Sequence, residues 1–456
     1  MQPTTIDVHE ELAQAPVGRM HVKLGVLLAL LTLFDGYDTF NPAYVIHYVH
    51  GPWGLSLRQA GMLVSSGLVG FLVGAAVHGA IADRFGRRIT LIAGLWTTTV
   101  FSILTALFAT SFASFCTLRV LTGLGLGVLL PLSTTYINEL APRRVANTFA
   151  LWGVALGWAS GGAAAGIVGV LVTPHTGWQG LYWVGSLSLL LIPFVHRYLP
   201  ESPKFALLRG DEAEVKAILA KLRPERADVY RKLAVGRPAT DPRAPVLALL
   251  EKPYRKLSIS IWATSFLSLF CIFGLSGWIP TLMQTRGESF GASFTFGALM
   301  QVTSFAGALV CGHLVDRFAH PRYWLCAWSL GGAASVLALI LFHSHWINLM
   351  GSALAGFCII GGQFVLNNFT ATSYETRMRA TAVGMELAVG RLGAILGPFI
   401  GGALQQVFGG SSAVLAAIGI AAAGAAVSVL LARTTPEPGV DALGAGGLSM
   451  GIPHEF

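Results

Sequence analysis

Polar positions are sparse along this chain and fall in clusters. Between the clusters lie runs of about 20 or more mostly apolar residues, the length a helix needs to cross the hydrocarbon core of a bilayer. The pattern predicts spans at 22–46, 58–82, 89–111, 114–140, 146–172 and 178–199, then a polar stretch, then spans at 257–283, 292–315, 323–343, 346–371, 380–407 and 412–433. The organisation this implies is a tail over 1–21, a six-helix half over 22–199, a central loop over 200–255, a second half over 256–433 and a tail over 434–456. The fold class predicted is an all-α membrane protein of twelve transmembrane helices in two pseudo-symmetric halves.

The loops sort by charge. Arg84, Arg87, Arg88, Arg143, Arg144, Arg317, Arg322, Arg377, Arg379 and Arg433 fall on one side, with Lys204, Arg209, Lys216 and Lys221 of the central loop. The other side holds little beyond Arg58 and Arg286. Basic loops stay in the cytoplasm, so both termini are predicted to be cytoplasmic. Within the central loop, residues 211–222 place Val215, Ile218, Leu219 and Leu222 on one helical face, with acids first and Lys toward the end. That predicts a short amphipathic helix against the membrane or the bundle. Pro238, Pro242 and Pro245 then mark a linker. The polar N-terminal residues lack the basic start and cleavage site of a signal peptide, so the first span is expected to stay in the mature chain.

Composition narrows the function. Of 456 residues, 54% are hydrophobic and 11% charged, against roughly a quarter charged in soluble proteins. A water-soluble enzyme is excluded. The net charge of +8 comes from the basic loops and reflects topology, not nucleic-acid binding. Cys116, Cys271, Cys311, Cys326 and Cys358 all lie in apolar runs without a CxxC pair, the usage of small buried hydrophobes. No hydrolytic triad, phosphate loop or metal-ligand cluster stands out. The reading is a carrier without an enzymatic step.

A repeat supports it. GAAVHGAIADRF (74–85) and GALVCGHLVDRF (307–318) share G-A-x-V-x-G-x-x-x-D-R-F, each at the cytoplasmic end of the second span of its half. Duplicated six-helix units in parallel orientation form transporters whose site lies between the halves. GAIADRFGRR (79–88), RVLTGLGLG (119–127) and PESPK (200–204) together resemble the signatures of the major facilitator superfamily, over the whole chain. DGYD (35–38), RVLTGLGLGVLLPLSTTYINELAPRR (119–144) and GRLGAILGPFIGG (390–402) are similar to its aromatic acid:proton symporters.

That resemblance implies proton-coupled uptake of a small aromatic carboxylate, a benzoate or hydroxybenzoate, across the inner membrane by alternating access. It implies the proton gradient as the driving force, no cofactor, and function as a monomer. The chain departs from the pattern at Leu129, Leu130 and Leu132 around Pro131, where a small pair and an Asn are usual, and at Glu386, where an apolar or aromatic residue is usual. The alternatives are another organic acid or a sugar-like solute, a drug/proton exchanger, or a membrane sensor. An exchanger would be expected to carry a Pro in GWASGGAAAG (157–166).

Asp35 and Asp38 are three apart and share a helical face. At ~1.5 Å per residue, Asp35 lies roughly 20 Å beyond Val22, deep in the membrane. A carboxylate there must be protonated, paired or facing water, and two on one face raise each other's proton affinity. The pair is the candidate proton carrier; the bland alternative is a structural Asp bonded at a Gly36 kink. Arg391, flanked by Gly390 and Gly393, stays charged and can bind a substrate carboxylate through two hydrogen bonds. Otherwise it is an ion-pair partner for Glu386, which is itself a candidate gating or coupling acid. Arg119 is expected either to pair with a first-helix Asp or to snorkel to the interface. Gly123, Gly125 and Gly127 point to close helix packing and not to a dinucleotide loop.

Aromatics near the acids (Phe34, Tyr37, Phe40, Tyr44) and in other spans (Trp152, Trp158, Trp278, Phe364) offer a ring-binding surface, although most such residues face lipid. Gln363, Asn367 and Asn368 form a polar stripe that fits a ring hydroxyl, an unwound backbone or helix–helix contact. Arg391, Arg119, Tyr37, Gln363 and Asn367 are the candidate substrate-binding residues. Gly79, Asp83, Arg84, Gly86, Arg87, Arg88, Glu139 and Arg143, with the repeat partners Asp316 and Arg317, are candidate gating residues whose ion pairs close the cytoplasmic side. For the arginines the alternative is topology alone.

Overall fold

The computed structural model describes residues 5–432 apart from 143, 146–148, 150, 237–244 and 319. Arg143, Arg433, Pro238, Pro242 and the tail over 434–456 lie outside the described residues. Among the described residues, twelve helices are long and apolar enough to cross a bilayer: α1 (Arg19–Val49), α2 (Leu57–Phe85), α3 (Arg87–Phe108), α4 (Phe112–Leu140), α5 (Trp152–Leu171) and α6 (Gln179–Tyr198), then α7 (Arg255–Thr285), α8 (Phe290–Phe318), α9 (Pro321–Leu341), α10 (His345–Thr372), α11 (Arg377–Phe408) and α12 (Ser412–Leu431). The chain is a multi-pass membrane protein. Both ends of the described chain and the central loop share one face, called here the loop face.

Packing repeats between the halves. α1 lies on α5 and α2 on α4, as α7 lies on α11 and α8 on α10. The halves meet along α2 and α11, α5 and α8, and α1 and α7. Glycines set how closely they approach. A Cβ at Gly123 would collide with the carbonyl oxygen of Gly67, and one at Gly127 with that of Phe71, so the α4 glycines serve close packing against α2. At the far face, a Cβ at Gly61 of α2 would collide with the carbonyl of Pro398 in α11. The hydrogen bonds joining the halves lie on that side too: Ser65 Oγ to the Ile395 carbonyl at 2.7 Å and the Arg58 N–H to Gln406 Oε1 at 3.2 Å. Toward the loop face, Gly79, Gly312 and Gly384 have open space where a Cβ would stand. The halves are therefore closed against each other at the far face and looser at the loop face.

The central loop holds more than one helix. Glu212–Leu222 is capped by Asp211, whose carboxylate accepts from the Glu214 N–H, and buries Val215, Ile218, Leu219 and Leu222. Short helices Pro203–Leu208 and Ala227–Lys232 flank it. The N-terminal segment docks there as well: β1 (Thr5–Ile6) pairs in parallel with β2 (Ala234–Val235). Glu11 takes ion pairs from Arg223 at 2.7 Å and Arg226 at 2.8 Å, and a hydrogen bond from the Tyr230 hydroxyl at 2.8 Å.

Candidate functional site

The two first-helix acids diverge. Asp38 turns into the first half, where the Ser102 hydroxyl of α3 donates to its two oxygens at 3.3 and 3.2 Å and Asn41 donates at 3.4 Å. Asp35 is fully buried, and neither oxygen has a hydrogen-bond partner among the described residues. The Trp158 indole stands close enough to interact but outside hydrogen-bond geometry. The charge that reaches Asp35 from the other half is Arg391. Three residues advance a helix by about 300°, leaving the two side chains some 60° apart. On a helix at the boundary between halves, that offset sends them to different compartments.

Arg119 is inside the bundle, 1% exposed, which overturns the snorkelling expectation. Its Nη2 donates to the backbone carbonyl of Asp38 at 2.7 Å, and its guanidinium lies 5.6 Å from the Tyr182 ring. It therefore holds α1 by the main chain and makes no ion pair within 4 Å among the described residues. Tyr37, expected at the substrate, instead donates its hydroxyl to the Leu181 carbonyl of α6 at 2.9 Å. Two residues from Asp35, it points away from the other half.

Arg391 stands at the interface between halves. Its guanidinium lies 3.8 Å from the centre of the Phe71 ring on α2 and 5.9 Å from that of Phe273 on α7. Among the described residues it has no acidic partner within 4 Å, so the alternative of a pairing with Glu386 is not seen. Five residues amount to about 500° of rotation, which puts the two on different faces of α11. Aromatic rings continue the wall: Phe40 against Trp158 at 5.0 Å and Phe273 at 5.9 Å, and Trp158 against Phe364 at 6.2 Å. Phe71 and Phe273 thus flank the cation, Trp158 stands beside the bare carboxyl, and Phe40 and Phe364 extend the wall through ring contacts.

Phe71 and Phe273 escaped the sequence reading, because nothing in an apolar run marks which ring faces the other half. Gln301 of α8 escaped it too. It is buried, its Oε1 has no partner, and its side chain lies against Gly162. Trp278 is a packing residue, donating to the Pro398 carbonyl at 2.8 Å within the second half, and Trp152 is 53% exposed.

Glu386 sits between α7, α10 and α11, fully buried. Its Oε1 accepts from Ser265 at 2.7 Å and from Gln363 Nε2 at 3.1 Å; its Oε2 has no partner. Asn367 lies 2.8 Å from Gln363, and its amide, turned, reaches the same Glu386 oxygen at 3.2 Å. Asn368 is exposed and leaves the stripe.

The loop-face charges form a network, but within the first half. Arg87 is buried and pairs with Glu139 at 3.0 Å and Asp83 at 3.8 Å. Glu201 accepts from the N–H groups of Arg87 at 2.9 Å and Arg88 at 3.1 Å, capping the start of α3 where the helix dipole favours an anion. Gly86 makes the seat, with φ +101° and Glu201 where a Cβ would be. Ser202 bonds Glu139, and Arg88 donates to the His196 carbonyl at 2.6 Å. Arg84 and Arg317 lie against the neighbouring Phe85 and Phe318 rings. Asp316 is exposed, and Gly79 has open space where a Cβ would stand. In this conformation the described ion pairs of the network tie α2, α3 and α4 to one another and do not bridge to the second half.

Comparison with known proteins agrees with this architecture. Residues 26–326 and 295–449 match the Major Facilitator Superfamily. The chain is 34% identical over 442 residues to a gallate transporter of Pseudomonas putida, covering 96% of this chain and 98% of that one. It is 31% identical to a 4-hydroxybenzoate transporter of Pseudomonas aeruginosa, over 93% and 95% of the two chains. Among solved structures, the xylose transporter of E. coli in a partially occluded inward-open conformation superposes with a TM-score of 0.72 at 18% identity, covering 90% of this chain and 97% of that one. The chain belongs to the Major Facilitator Superfamily, in the branch that holds these aromatic-acid transporters.

Proposed function

We propose that this protein carries a small aromatic carboxylate into the cell together with a proton, by alternating access. The observation that carries the reading is Arg391: a half-buried cation at the interface with no ion-pair partner among the described residues, set against Phe71 and Phe273, whose ring wall continues through Phe40, Trp158 and Phe364 toward the unbonded Asp35. A guanidinium fits a carboxylate through paired hydrogen bonds, and the rings fit the apolar body of an aromatic acid. Gln363 and Asn367 of α10, close in sequence to Phe364 of this wall, are the amides proposed to serve ring substituents.

Coupling follows from competition for one cation. In the empty site Arg391 offsets the charge of Asp35. When a substrate anion takes the guanidinium, an ionised Asp35 is left in a dry aromatic setting without a counter-charge, which costs several kcal/mol. A proton on Asp35 removes that cost. Substrate and proton therefore load together, with Asp38 and Arg119 fixing the helix that carries Asp35.

The Lys and Arg asymmetry supports a cytoplasmic loop face, with both termini inside, and an inner-membrane location. On this reading residues 22–199 and 256–433 rock as two bodies joined by the loop over 200–255, and one chain suffices. The gating residues act at the loop face. Arg87, Glu139 and Asp83 stay paired within the first half while that face is open, and Asp83 and Asp316 meet the second and first halves respectively when it closes.

The test is substrate-dependent proton flux into proteoliposomes, with a panel of benzoate-type acids, aliphatic acids and sugars and with protein-free vesicles as control. Protein-dependent flux confined to aromatic acids is expected. Flux with aliphatic acids or sugars alone would overturn the substrate class, and binding without flux would make the protein a sensor.

A further inference from the structure

Five charged side chains lie between the ends of the described spans: Asp35, Asp38, Arg119, Glu386 and Arg391. All other charges in those helices stand within the first or last turns. Three acids face two cations. Arg119 is fastened to Asp38 through its carbonyl at 2.7 Å, and Arg391 is the cation that faces Asp35 across the interface. Glu386 is left over.

Its surroundings are those of a neutral acid. The side chains that reach it from α7 and α10 are Ser265, Gln363 and Asn367, all uncharged. The other ionisable groups that act around it are Tyr374, at the turn before α11, and Arg391 on its own helix, beyond ion-pair distance. Every donor goes to one oxygen, Oε1, and Oε2 has none. Both donors go to one oxygen, so a proton on Oε2 would displace no existing hydrogen bond, whereas an ionised group would have to hold its charge on uncharged partners alone. A fully buried carboxylate with one bare oxygen and no counter-ion would carry an uncompensated charge.

We propose that Glu386 keeps its proton throughout the cycle, and that each substrate monoanion therefore crosses with one proton and no net charge. The inference rests on the proposed function above. With Glu386 neutral, the empty core is balanced: Asp35 and Asp38 against Arg119 and Arg391. A bound monoanion adds one negative charge and one proton on Asp35 restores the balance. A dianionic aromatic acid would leave the core short of a second proton, so the site selects monocarboxylates.

Two readouts test this. In proteoliposomes, uptake of benzoate-type acids should respond to an imposed pH gradient and not to a potassium diffusion potential of either sign. Whatever its rate, Glu386→Gln should keep that indifference to potential, because an amide reproduces a neutral carboxyl. Stimulation by an inside-negative potential in the wild type would mean more than one proton and would overturn the stoichiometry. Infrared spectra of the empty protein at neutral pH should show a protonated-carboxyl C=O band that disappears in Glu386→Gln. No such band, or one that survives the substitution, would overturn the resident proton. Should the variant not fold, the wild-type potential measurement still decides the stoichiometry, and absence of a protonated-carboxyl band in the wild-type infrared spectrum still overturns the resident proton. Aromatic-acid flux that moves charge would sink only this inference, whereas no aromatic-acid flux under either gradient would sink the functional reading beneath it.

Discussion

Asp35 and Asp38 stand three residues apart on one helix, yet they occupy two kinds of interior. Around Asp38 the first half supplies Ser102, Asn41 and the anchored Arg119, so that acid is held by fixed partners of its own half. Around Asp35 there are rings, a cation belonging to the other half, and no hydrogen bond among the described residues. A group fixed inside one rigid body cannot sense how two bodies sit against each other. A group at their seam can. On the proposed function the pairing is a division of labour, with Asp38 as scaffold and Asp35 as the site that changes state.

The comparison breaks most readily at its seam. Arg391→Ala removes the cation that, on the proposed function, both Asp35 and the substrate use. Losing one partner of a buried charged contact costs about 2–5 kcal/mol, which is roughly 30-fold or more in affinity. A binding isotherm with a benzoate-type acid, read by calorimetry, checks this. Unchanged affinity would place the anion site elsewhere.

Ser102→Ala sharpens the other side. It removes the only hydroxyl that reaches both Asp38 oxygens among the described residues, at about 1–3 kcal/mol for a buried acceptor left short of a donor. The expected result is a lower melting temperature in detergent with substrate affinity retained. Loss of affinity with normal stability would make Asp38 part of the site.

The smallest effect lies outside the membrane and serves as a control. Burial works to raise the Glu288 carboxyl, but hydrogen bonds from Asn348 and His345, both at 2.8 Å, outweigh it and hold the group below the usual carboxylate range. A depressed carboxylate contributes stability above its unfolded value, and that contribution is lost as pH falls through the folded one. Wild type should therefore lose a little more thermal stability than Glu288→Gln on acidification below about pH 4, with no difference between them at pH 7 to 8 in that slope. Equal slopes throughout would remove the Glu288 cluster from the stability account.

Much of the architecture was legible because the bilayer constrains it: spans, halves and the repeat follow from apolar run length and duplicated residues. The Asp35 and Arg391 candidates were legible because charge is costly in an apolar run and stands out there. What the sequence could not supply was azimuth across the interface. The offset between Asp35 and Asp38, the opposite faces of Glu386 and Arg391, and the choice of Phe71 and Phe273 among 26 phenylalanines all depend on how helices are rotated about their axes. The direction of Tyr37 and the choice between the two alternatives for Arg119 were hidden for the same reason, since each turns to a backbone carbonyl of its own half. The docking of Glu11 on Arg223 and Arg226 was hidden by sequence distance alone.

The most direct test of the account is proton uptake on binding. Purified protein in weakly buffered detergent solution would be mixed with a fully ionised benzoate-type acid while the pH is recorded. If the substrate takes Arg391 from Asp35, wild type should absorb close to one proton per substrate bound, Asp38→Asn should still do so, and Asp35→Asn should bind without absorbing any. Stoichiometric uptake that persists in Asp35→Asn, or saturable binding by wild type with no pH change, would contradict the exchange of partners at the seam.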